Sequence, residues 1–137
     1  MATKIAVRIP EKGRRILQEK SFAHLATLMP DGSPQVTPVW VDVEGDEIVI
    51  NTAEGRVKPR NLRNDPRVAI AATDPDNPYD AVIVRGRVRE MTHEDADEHI
   101  DELAKKYLDE DEYPFREPGE ERVKVHIEPE RVTMANE

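Results

Sequence analysis

The chemistry in this chain is concentrated between Asn51 and Val68, in the run NTAEGRVKPRNLRNDPRV. An apolar strand-like run, Glu47 to Thr52, ends there. Gly55 breaks it, and Pro59 restarts the chain as a short helix, because proline suits the first helical position. Pro66 stops that helix by pushing Asp65 out of α geometry. Arg56, Lys58 and Arg60 gather at the junction, and residues 55 to 67 carry five basic side chains against one acid in a chain of net charge −9. A helix N-terminus presents free N–H groups and partial positive charge, so cations beside it make an anion site, phosphate above all. The alternative is a solvated basic loop, since most surface charge is only solvation. Placement at a strand–helix junction, against the sign of the whole molecule, favours the anion site.

Elsewhere the residue types offer little. There is no cysteine, which excludes disulfides, iron–sulfur clusters and thiol nucleophiles and fits a reducing compartment. His93 and His99 in HEDADEH lie six apart, on opposite sides of a helix, whereas a zinc pair needs a spacing of about four. They read as capping and a solvated acidic face, with no metal site. His24, between Phe22 and Ala26, reads as a half-buried strand histidine. Ser21 and Ser33 have no GxSxG setting, and Gly55 and Gly86 make neither a P-loop nor a dinucleotide fingerprint. No catalytic side chain is expected, which leaves the chemistry to a cofactor that the protein orients.

The elements that must position the junction follow from pattern. At 137 residues the chain reads as one domain, 1–137, burying about two-thirds of its unfolded surface. Only six residues are aromatic, so the core must be Val, Ile, Leu and Ala. A short helix is expected over about 10–20, barrel strands over about 21–91 and 121–134, and a helix over 94–107 opened by a capping box at Thr92–Asp95. After a tight PDGS turn, Gln35 to Val43 is apolar on both faces, with Val36, Pro38 and Trp40 on one and Val39, Val41 and Val43 on the other. In so small a protein something must cover its outer face. Pro38 lacks an N–H and marks a bulge or unpaired position where a ligand can approach backbone. Ile48–Thr52 then completes a three-strand meander. Arg67–Thr73, Tyr79–Met91, Arg122–Glu128 and Arg131–Met134 supply the remaining strands, and 108–120 forms an acidic loop. The expected fold is mainly β: a small antiparallel barrel with peripheral helices. No run approaches membrane-spanning length and no secretory h-region is present, so a cytoplasmic protein is expected. The acidic total argues against nucleic-acid binding.

The segments FAHLATLMPDGSPQVTPVWV and INTAEGRVKPRNLRNDPRVAI, with YDAVIV, VRGRVRE and VKVHIEPERVT, closely resemble the split β-barrel flavin- and deazaflavin-binding proteins related to pyridoxamine 5′-phosphate oxidase. The resemblance spans nearly the whole chain. It implies a homodimer with cofactor clefts at the subunit interface. Thr52, Arg56 and Lys58 match positions that hold the phosphate end of the cofactor, with Arg60 and Asn61 nearby. Pro38, Val39 and Trp40 match the strand along the ring system, and the loop around Asn77 and Tyr79 matches the part reaching across from the partner. The C-terminal arginine- and tryptophan-rich segment of true pyridoxamine phosphate oxidases has no counterpart, so that activity is not expected. The GRxKxRNL form resembles the subgroup using the deazaflavin coenzyme F420, whose anionic tail Arg60 and Arg63 would suit. The resemblance thus implies hydride transfer from reduced F420 to a small conjugated acceptor. An FMN-dependent oxidoreductase and a non-catalytic cofactor carrier are the alternatives.

Overall fold

The computed structural model describes residues 7–135. Its elements run α1 (Glu11–Gln18), β1 (Phe22–Leu28), β2 (Pro34–Val39), β3 (Asp42–Glu44), β4 (Glu47–Ala53), α2 (Val57–Asn64), β5 (Arg67–Thr73), β6 (Ala81–Thr92), α3 (Ala96–Leu108) and β7 (Arg122–Met134). The seven strands form one antiparallel sheet in the order β2-β1-β5-β6-β7-β4-β3. The sheet is not closed into a ring, and β2 and β3, consecutive in sequence, lie at its two edges. This is the mainly-β, split-barrel arrangement expected from the sequence.

The three-strand meander does not form. Gln35 to Val43 is two strands separated at Trp40 and Val41, and β2 pairs only with β1 while β3 pairs only with β4. The physical reason lies in α3. The Val41 N–H donates to the Tyr107 hydroxyl at 3.3 Å, and the Val41 carbonyl accepts from Lys106 Nζ at 2.5 Å. Side chains thus satisfy the backbone groups that a meander would have given to a neighbouring strand. Pro38 needs no bulge, because β2 is an edge strand and its missing N–H leaves no ladder bond unmade.

Three boundaries also differ from expectation. α2 begins at Val57, so Pro59 occupies its third position; proline is tolerated throughout the first turn, where N–H groups have no intrahelical partner. α3 begins at Ala96 after Asp95 in a left-handed conformation, and Thr92 Oγ1 accepts from the Glu94 N–H at 3.0 Å instead of capping the helix. β7 continues through the expected break at Pro129, with register shifts against β6 at Arg85/Gly86 and Val88/Glu90. Gly86 permits this, since a Cβ there would run into the Glu128 carbonyl.

The core is aliphatic as composition required. Ile16 and Leu17 of α1 and Leu62 of α2 pack on Leu25, Ile48, Ile50, Ile70, Val82, Val84, Val123, Val125 and Ile127 of the sheet. No helix among the described residues is long and apolar enough to cross a membrane.

Candidate functional site

A cavity of about 640 Å³ opens between β1, the β2–β3 crossover, the β4–α2 junction, α3 and the start of β7. Its walls divide by chemistry. Phe22, Trp40, Tyr107, Tyr113 and Phe115 line it, so five of the six aromatic residues are spent here and none in the core. Lys20, Arg56, Lys58 and Arg122 also line it, and among the described residues no carboxylate does, although acids outnumber bases 29 to 20 in the chain.

The aromatic wall is built around Trp40. Its ring stacks on Tyr107 at 5.3 Å with 6° between planes, and Tyr113 meets it edge-on at 6.0 Å. Phe115 extends the wall, edge-on to Tyr113 at 5.7 Å. Tyr107 is anchored by its hydroxyl, which donates to the Ser21 carbonyl at 3.1 Å. Beneath it lies the Lys106 ammonium, 5.1 Å from the ring centre, also donating to the Leu17 carbonyl at 2.8 Å. Burial pulls the Lys106 pKa down to about 8, with Asp42 opposing the shift.

The cationic end is equally fixed. Arg122 is only 4% exposed; its Nε donates to Asn51 Oδ1 at 2.8 Å and its Nη1 reaches Glu120 Oε1 at 2.7 Å. Its guanidinium packs 5.1 Å from the centre of the Tyr113 ring. Asn51 Nδ2 then donates to the Ala96 carbonyl at 2.9 Å and lies 3.0 Å from His99 Nδ1. Because Arg122 fixes the amide orientation, His99 Nδ1 accepts and the neutral ring carries its hydrogen on Nε2. His99 is 3% exposed rather than solvated, and burial, aided by Lys124, lowers its pKa to about 4. His93, as expected, is exposed.

Lys58 is half-buried, not exposed, and has no anionic partner among the described residues. Desolvation first, then the charges of Arg56 and Arg122, lower its pKa. A concave site with clustered cations, of which only Arg122 is paired with an acid, and a desolvated lysine suits an anion. The fit to a phosphate-ended ring cofactor rests on that lysine.

Of the residues singled out in sequence, Pro38, Val39, Trp40, Arg56 and Lys58 line this cavity together. Thr52 is buried nearby on β4 with its hydroxyl unpartnered among the described residues. Asn61 does not face the cavity; it is fully buried and donates to Thr27 Oγ1 at 3.1 Å, tying α2 to the β1–β2 hairpin. Arg60 lies with Arg56 and Arg63 in a separate groove of about 360 Å³ along α2. Arg63 is already held by Glu54 at 2.8 Å. Asn77 and Tyr79 sit on the β5–β6 loop, outside this cavity of their own chain, with Tyr79 exposed. His24 proves exposed and lines the cavity mouth. Sequence reading missed Asn51, Arg122, Tyr107, Tyr113 and Phe115 as a set. The available signal was that Tyr113 and Phe115 stand outside every periodic apolar run, in a loop otherwise acidic.

A family model described as pyridoxamine 5′-phosphate oxidase matches residues 9–136. Among solved structures, one titled F420 reductase is 32% identical, covering 91% of this chain and 98% of its own, with a TM-score of 0.79. A conserved hypothetical protein from Mycobacterium tuberculosis shares the fold at 23% identity and TM-score 0.67, covering 98% and 89%. General Stress Protein 26 from Bacillus anthracis does so at 19% and 0.67, covering 92% of each chain.

Proposed function

The chain belongs to the pyridoxamine 5′-phosphate oxidase family, and from that premise we propose that it is a coenzyme F420-dependent reductase acting on a small conjugated acceptor. The observation that carries the reading is the composition of the cavity: four cations, five aromatic rings and, among the described residues, no carboxylate. The likeness to a protein titled F420 reductase supports the choice of cofactor.

When bound, the deazaflavin supplies a two-electron hydride carrier. This chain supplies placement. Arg56, Lys58 and Arg122, with the positive end of α2, hold the phosphate. The free edge of β2 at Pro38 and Val39, continued by Trp40, lies along the ring, with the aromatic wall excluding water. Arg60 awaits the anionic tail. Asn77 and Tyr79 of the partner subunit complete the cleft.

The dimer is supported by the outer face of the sheet. Pro38, His24, Ala71 and Ile83 form one cross-strand row, and Val36, Ala26, Ala69 and Arg85 the next. Phe22 is 67% and Val36 61% exposed there. Phe22, His24 and Pro38 belong both to this face and to the cavity lining, so a second copy on the face closes the cavity.

FMN is the second reading, favoured because the cations inside the cavity suffice for one terminal phosphate while Arg60 lies outside. Titration of the free protein with both cofactors separates the two. With Arg63 engaged by Glu54, Arg60 alone contributes up to about 1 kcal/mol, a preference of at most about fivefold for F420 that shrinks with salt. FMN binding as tight as F420 at low salt would end the F420 assignment, and absence of turnover with every acceptor would leave a carrier.

A further inference from the structure

The segment that carries Tyr113 and Phe115, residues 109–121, is fixed at its two ends: Lys105 pairs with Asp109 at 3.0 Å, Glu120 pairs with Arg122 at 2.7 Å, and the Glu121 carbonyl accepts from the Glu54 N–H at 2.9 Å. Between those ends, three contacts to one face of α3 hold it. Arg116 Nη1 reaches Asp97 Oδ1 at 3.0 Å and Arg116 Nη2 reaches Asp101 Oδ1 at 2.9 Å. The same Asp101 oxygen accepts the Tyr113 N–H at 2.8 Å. Asp97 and Asp101 are four apart, hence neighbours on one helix face, and the planar fork of an arginine spans two such carboxylates where a lysine cannot. Between these anchors the chain presents the Tyr113 ring edge-on to Trp40, with Phe115 beyond it and the Arg122 guanidinium against it.

We propose that Arg116 is a positioning residue for the cavity: its clasp on Asp97 and Asp101 holds 109–121 as a strap, and the Tyr113 ring so placed governs how long a flat-ringed ligand stays bound. This rests on the reading that the cavity takes a ring cofactor. The clasp bears charge at the surface, whereas the wall it holds is aromatic. Loosening it therefore frees the rings without removing any group from the cavity or the core. Tyr113 touches both Trp40 and Arg122, so its position couples the ring end of the cavity to the anion end.

Trp40 is the sole tryptophan and reports directly on the strap. In the ligand-free protein, Arg116→Gln should make Trp40 more accessible to acrylamide quenching. Salt at 1 M, which screens to about 3 Å, should move the wild type toward the variant and leave the variant unmoved. Asp101→Asn, which keeps an oxygen for the Tyr113 N–H, should lie between them. Stopped-flow dissociation of FMN and of F420 should quicken by about threefold to tenfold in Arg116→Gln, the size two exposed ion-pair contacts set. Arg116→Lys should recover only part of this, and melting temperature should hold. Equal Trp40 quenching in wild type and Arg116→Gln overturns the proposal. So do equal dissociation rates. If the wild type binds neither FMN nor F420, the cofactor reading falls, and the quenching comparison still decides the strap.

Discussion

Replacing Lys58 with methionine separates an anion site from a solvated basic loop. In the free protein Lys58 is half-buried beside Arg56 and Arg122 with no anionic partner of its own among the described residues, and its pKa is lowered by desolvation first and then by those two charges. A lysine whose folded pKa lies below its unfolded value makes stability rise with pH as the proton leaves. At neutral pH its charge therefore works against the fold, and Lys58→Met should leave the melting temperature unchanged or higher. Toward a phosphate the sign reverses. Loss of a hydrogen bond to a charged group removes about 1.5–3 kcal/mol, which is about a tenfold to 150-fold rise in Kd. Fluorescence titration with FMN and F420 reads that directly. Riboflavin, the same ring without the phosphate, should bind wild type and variant alike. Wild-type affinity for FMN should also fall on the alkaline side sooner than a free lysine would require, and the variant should lack that limb. Equal FMN affinity in the two proteins would refute the reasoning. So would a loss matched by riboflavin, because the effect would then be packing rather than charge.

Two further outcomes follow from the geometry. His99, buried and accepting from Asn51, must gain a proton below its ordinary range, so stability is complete above pH 6.5 and should be lost as pH falls toward about 4. The span corresponds to about 3 kcal/mol as an upper bound; urea denaturation at a series of pH values should show the slope, and a flat profile between pH 6.5 and 4 would contradict it. The outer face, with Phe22 and Val36 exposed on it, should pair two copies, so sedimentation should give a dimer at micromolar concentration and Val36→Lys should shift it to monomer. A wild-type monomer under those conditions would remove the second copy from the cavity.

Much of the fold was legible because it rests on local signals. The PDGS turn gave the β1–β2 hairpin, with Asp31 Oδ1 accepting from the Ser33 N–H at 2.9 Å and Gly32 at φ 86°. The apolar run Arg67–Thr73, bounded by Pro66 and the PDNP loop, gave β5 to the residue. The split between β2 and β3 was not legible, because it depends on Tyr107 and Lys106, over sixty residues away, meeting the backbone of Val41. Pattern reading places a tyrosine at 107 on the inner face of a helix, but cannot say that its hydroxyl ends a strand. The site divided in the same way. Arg56 and Lys58 announced themselves by clustering against the net charge, whereas Arg122 stood alone before an alternating strand and only the sheet register brings it beside Asn51. Asn61 lies within the motif, yet the structure turns its amide nitrogen inward to Thr27, away from the cavity.

The break in the strand and the chemistry of the cavity have one cause. A continuous strand from Gln35 to Val43 would bury Trp40 in a ladder and leave no opening between the sheet edges. Because α3 satisfies Val41 instead, the crossover turns away, Trp40 comes free of strand pairing, and its ring stacks on the tyrosine whose hydroxyl made the break. The arrangement costs the fold a buried ammonium, Lys106, whose pKa falls to about 8. In return the ammonium donates to two carbonyls, of Leu17 and Val41. An aliphatic core makes this affordable: with Ile, Leu and Val filling the interior, the rigid flat side chains are left to build a flat wall. A cavity shaped by stacked rings at one end and by a fixed arginine at the other has the form that the proposed ligand, planar along most of its length and anionic at its tip, would need.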